Sequence, residues 1–131
     1  MLENIETSIL KNGLTVITFS RDDVESVSTT FYVKVGSRYE TEKESGISHF
    51  IEHMLFKGTK NRSARDIVNS IESHGGVMNA ATSYSKTYFY TITPYDKFEY
   101  AIDILSDIYL NPLFKKEDVE NEKNVILEEY Y

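Results

Sequence analysis

The chain has no cysteine among its 131 residues. Disulfides and thiolate metal sites are thereby excluded, and any transition metal must be held by histidine and carboxylate. A basic excess is also missing: 14 Lys and Arg stand against 21 Asp and Glu, a formal net charge of −7. That balance argues against a nucleic-acid binder, whose partner demands a basic footprint. No apolar run approaches the roughly 20 residues a membrane span needs. The opening residues, Met1-Leu2-Glu3-Asn4-Ile5-Glu6, carry acids where a signal peptide needs a basic segment. These absences lead us to expect a cytoplasmic protein with no nucleic-acid and no membrane partner. Internal repeats and low-complexity tracts are missing too, so a solenoid is not expected.

What is present reads as one globular domain over residues 1–131. Hydrophobic residues make up 40% and charged residues 27%, which excludes a disordered chain. Ten Tyr and seven Phe read as core and sheet packing, because nothing basic interleaves with them as a nucleic-acid platform would need. Lys11-Asn12-Gly13 between Ser8–Leu10 and Leu14–Phe19 signals a hairpin. Val27, Thr29, Phe31, Val33 and Val35 alternate along a third strand. An acidic stretch, Glu40 to Glu44, reads as a solvated connection. Ser45 or Ser48 is positioned to cap a helix over residues 46–56, whose apolar positions Ile47, Phe50, Ile51, Met54 and Leu55 are spaced for a largely buried helix. Ser63 with Asp66 opens a second helix, closed by His74-Gly75-Gly76. Strands over 77–82 and 87–93 follow. A helix over 95–110 ends at Asn111-Pro112, and a charged helix runs from Lys116 to Tyr131. The expected fold class is α+β: a largely antiparallel sheet covered by helices, in the order β-β-β-α-α-β-β-α-α. The last helix lacks a stop signal before Tyr131, so we expect the chain to be a segment of a longer protein.

The chemistry concentrates at His49-Phe50-Ile51-Glu52-His53. Histidines four apart on a helix share one face, a single turn apart, and can reach one metal ion. Glu52 lies beside His53 near the same face. At this composition chance yields such a pattern in fewer than about one chain in a hundred. Two unpaired imidazoles on a mostly apolar helix would also cost free energy. A catalytic zinc needs a third protein ligand and an open position. In the last helix Glu122 and Glu129 are two turns apart and share the stripe of Val119 and Ile126, whereas Glu128 lies about 100° away. Spacing makes Glu122 and Glu129 the better candidates and does not choose between a ligand and an ordinary charged face. His74 reads as a histidine at a helix C-terminus. Lys57, Lys60, Arg62 and Arg65 read as a solvated loop and first turn.

The segment His49-Phe50-Ile51-Glu52-His53-Met54-Leu55-Phe56-Lys57-Gly58-Thr59 resembles the inverted-motif zinc peptidases of the pitrilysin or insulinase family. The likeness is to the bacterial members similar to the mitochondrial processing peptidase beta subunit. It spans nearly the whole chain, through Leu10–Leu14, Val33–Glu40, Gly75–Thr82, Asn111–Phe114 and Glu122–Glu129. The resemblance implies one Zn2+ per chain held by His49, His53 and Glu129, with Glu52 as general base and Glu122 as a supporting acid. It implies that Asn79 and Ala80 lie on an edge strand that pairs with extended substrate. It further implies a clamshell of two related halves, of which this chain is an incomplete N-terminal part, acting on peptides or unfolded proteins. The second half, or a partner subunit, would then supply an arginine and a tyrosine to the substrate. Homo-oligomerisation stays open. The alternatives are a non-catalytic assembly module of the same fold and a metal-binding scaffold without hydrolysis.

Overall fold

Asn12-Gly13 turns the chain back on itself, with Gly13 at φ 86° and the Asn12 side-chain oxygen accepting from the Leu14 N–H at 3.1 Å. The turn pairs β1 (Ile5–Ile9) antiparallel with β2 (Thr15–Phe19). This computed structural model describes residues 4–129. The remaining elements are β3 (Ser26–Val33), α1 (Ile47–Leu55), α2 (Ala64–Glu72), β4 (Val77–Thr82), β5 (Thr87–Pro94), α3 (Phe98–Leu110) and α4 (Lys116–Glu129). The α+β order therefore matches the one read from periodicity. Met1–Glu3, and Tyr130 and Tyr131, over which the last helix is expected to continue, lie outside the described residues.

The sheet is divided. The β1–β2 hairpin stands as its own two-stranded unit, and β3, β5 and β4 form a second sheet with β5 in the middle. Phe31 and Ala80 both register against Phe89, so one sheet face concentrates its apolar residues under the helices. The core comprises Leu55, Ile67, Ile71, Phe89, Ala101, Ile104, Leu105 and Ile108, with Phe31, Met78, Ala80 and Tyr109 packed around it. In α3 the buried face takes Ala101 and Ile104, while Phe98 stays exposed. A short 3-10 turn, Tyr95–Lys97, replaces the first turn expected of that helix.

Ser63 forms a full capping box with Asp66, as its spacing requires. The start of α1 corrects the serine-cap expectation. Gly46 is the N-cap, at φ 88°, and makes no side-chain cap bond. The cap comes instead from Glu40, whose carboxylate accepts from the Gly46 N–H at 2.7 Å and the Ser48 N–H at 2.9 Å. A carboxylate suits that end of a helix, where free N–H groups and the helix dipole both favour an anion. The acidic stretch is thus partly structural. Gly36, ahead of that stretch, lets the chain pass close to the β4–β5 turn, where a Cβ would collide with the Ser83 carbonyl oxygen.

Candidate metal centre

α1 and α4 pack against each other and supply the two histidines and the acids. The Nε2 atoms of His49 and His53 are 3.0 Å apart. Glu129 Oε2 lies 3.6 Å from the first and 3.9 Å from the second. Ligand atoms about 2.0–2.1 Å from a tetrahedral zinc are about 3.3 Å from one another, so the three separations bracket the edge such an ion needs. Among the described residues these three form the group that could hold a metal ion.

Glu122 sits behind them. Its Oε1 is 2.8 Å from His53 Nδ1, and its Oε2 pairs with the Lys57 ammonium. Accepting the Nδ1 proton fixes the His53 tautomer and leaves Nε2 as the lone-pair nitrogen, the arrangement metal-ligating histidines use. With Nε2 of His53 bare, the 3.0 Å histidine pair needs one proton or one cation between its nitrogens. The donor set therefore fits zinc.

Glu52 is buried, and its Oε2 accepts from the Thr82 hydroxyl at the end of β4. The Thr82 hydroxyl lies 3.1 Å from that of Thr87, which donates to the Val35 carbonyl at 3.2 Å. Beside Glu52 is an apolar hollow of about 290 Å³, whose walls include Val35, Ile51, Leu55 and Phe89. β4 is an edge of the three-stranded sheet. Asn79 and Ala80 lie on it, and the Ala80 N–H donates to the Asn79 side-chain oxygen at 2.8 Å.

The family model for insulinase, peptidase family M16, matches residues 15–131. This chain belongs to the insulinase family. A Rickettsia felis protein named an uncharacterized zinc protease is 46% identical over 98% of the chain and 31% of its own length. The Saccharomyces cerevisiae mitochondrial-processing peptidase subunit beta is 40% identical over 94% of the chain and 27% of its own length. The crystal structure of a Helicobacter pylori protease superposes with a TM-score of 0.91 at 31% identity, covering 95% of this chain and 30% of that one. The chain thus spans under a third of the length of these relatives.

Within this insulinase-family segment the electrostatics separate the two acids of α4. The Glu122 side chain is 4% exposed and that of Glu129 48%. Burial pushes the Glu122 carboxyl upward, but Lys57 and His53 outweigh it and hold it below the usual carboxylate range. Tertiary packing therefore sends Glu122 to the back of His53 and Glu129 to the front of both rings. The resemblance implies a ligand at Glu129 and a supporting acid at Glu122, a choice that spacing leaves open.

Three groups behave differently from their sequence reading. Lys57 is paired with Glu122 rather than freely solvated. Arg62 is bound to Asp107 at 2.7 Å and to Asp103 at 2.5 Å. Ile47 and Ile51 remain exposed while Ser48 and Glu52 are buried, because α1 turns its polar side towards β4 and Glu40. His74 does sit at the end of α2, with Nδ1–H donating to the Ser70 carbonyl at 2.8 Å. Sequence reasoning missed Thr82 and Lys57. The available signals were the same-face spacing of Thr82 from Ala80 and the four-residue spacing of Lys57 from His53.

Proposed function

We propose that this chain is the zinc-binding segment of a metalloendopeptidase that cleaves peptides or unfolded proteins. The observation that carries this reading is the convergence of His49 Nε2, His53 Nε2 and a Glu129 carboxylate oxygen within 4.8 Å of one another. Zinc bound there would lower the pKa of a coordinated water to about 7 and polarise a carbonyl oxygen. Glu52 would take the water's proton and return it to the leaving amine, as general base and then acid. Thr82 occupies one Glu52 oxygen, leaving the other for that transfer. The β4 edge at Asn79 and Ala80 would pair with an extended substrate backbone, which tolerates varied side chains. The Asn79 side chain would have to release the Ala80 N–H for this pairing. The second half of the longer relatives, or a partner subunit, would close over the substrate.

The test is chelator-sensitive hydrolysis of an unstructured polypeptide by a protein of the relatives' length, beside its Glu52→Gln variant. We expect one zinc per chain in both, with turnover lower by about 10²–10⁴-fold in the variant. Zinc in both with no hydrolysis in either would replace this reading with the metal-binding scaffold.

A further inference from the structure

Lys57 lies four residues past His53, so His49, His53 and Lys57 step along one side of α1 and its continuation at intervals of one turn. Opposite them, Glu122 and Glu129 are two turns apart on α4. The contacts run in opposed order. Lys57 and His53 meet Glu122, whereas His53 and His49 meet Glu129. The helices are therefore antiparallel at this seam, and His53 touches both rungs.

We propose that Lys57 is a positioning residue for the metal centre. It holds the second oxygen of Glu122, and through that carboxylate it sets the His53 ring and the axial register of α4. Glu122 is 3% exposed, so both its oxygens need partners within the protein. His53 takes one and Lys57 the other, which fixes the carboxylate plane. Without the ammonium, a buried anion would be left with one imidazole N–H and would turn or shift to find a second donor. Each residue of slippage moves a helix about 1.5 Å along its axis, a distance that would take the Glu129 oxygen out of the 3.6–3.9 Å reach it has to the two nitrogens. Among the described residues, Lys57 forms its ion pair with Glu122.

This inference rests on the metal-ligand reading above, and zinc affinity tests it without requiring activity. The affinity of the chain would be measured by competition with a chromophoric chelator at neutral pH, alongside Lys57→Met, Lys57→Arg and Lys60→Met. Circular dichroism would monitor folding. Lys57→Met should bind zinc 10- to 100-fold more weakly, the range seen when partners of metal ligands are removed. Lys57→Arg should restore most of the loss, and Lys60→Met should match the parent. In a Glu122→Gln background, Lys57→Met should cost little more, because its effect passes through Glu122. Should the Met variant unfold, Lys57→Gln carries the same comparison, with a loss of at least about fivefold supporting the proposal. Equal affinity in the Lys57 variants and the parent, or full additivity with Glu122→Gln, would overturn it while leaving the ligand set in place. A parent chain that binds no zinc would overturn both.

Discussion

Asp107 and the His49–His53–Glu129 group are both polar clusters beside α1, and their hydrogen-bond accounts differ. Asp107 is 4% exposed and accepts from Thr59, Asn61, Arg62 and Asn111 at 2.6–2.9 Å. Thr59 in turn accepts the N–H groups of Asn61 and Arg62. Donors and acceptors match, so the cluster is closed and ties the loop after α1 to α3. At the candidate metal centre three acceptor atoms converge with at most one proton between the histidines, and Glu129 is half exposed. A closed cluster stabilises the fold; one with surplus lone pairs is ready for a cation.

This contrast can be broken by stability measurements. Asp107→Ala should be the most damaging, costing about 3–5 kcal/mol because it strips the buried acceptor from Thr59, Asn61 and Asn111 and leaves Arg62 with Asp103 alone; the urea midpoint measures it. Acid should reveal the same cluster. Burial pushes the Asp107 carboxyl up, yet hydrogen bonds from Thr59, Arg62, Asn61 and Asn111 pull it down to about 2 from an ordinary 3.8. The folded group therefore stays ionised after the unfolded one has taken up its proton. About 2 kcal/mol of stability should be complete above about pH 5 and be lost as pH falls through 2. Asp107→Asn should flatten that part of the profile, and an unchanged acid limb would contradict the account.

Glu40→Ala should cost about 1 kcal/mol, the usual value of a helix N-cap. Hydrogen exchange would show it as faster opening of the first turn of α1, and equal protection in the two proteins would remove Glu40 from that role. The smallest stability effect should come from the metal centre. His49→Leu should shift apo stability by less than about 1 kcal/mol while abolishing zinc binding, because functional groups are seldom optimised for the fold. A drop as large as that of Asp107→Ala would erase the distinction between the clusters.

The candidate site was only partly legible in the sequence. The face shared by His49 and His53 followed from helical spacing, and Glu122 and Glu129 stood out by lying on the stripe of Val119 and Ile126. From sequence Glu40 reads as solvated, because its partners, the Gly46 and Ser48 N–H groups, are backbone atoms that composition cannot point to. In sequence Lys57 is one charge among several, since its acidic partner lies on another helix. Hydrophobicity places Ile47 and Ile51 inside, but α1 turns its polar side, with Ser48 and Glu52, to the protein.

The sequence by itself determined the element order, the Asn12-Gly13 hairpin, the Ser63 capping box and the histidine pair. Each depends on residues within about one turn of one another, where backbone geometry leaves few choices. Tertiary structure decided which α4 acid faces the histidines and which stands behind them. It also placed Thr82 on Glu52 and Glu122 between His53 and Lys57. These contacts join positions 30 and 69 residues apart, and they depend on how far each helix is rotated and slid against its neighbours. Local pattern does not encode that relation; the packing of α1 between β4 and α4 does.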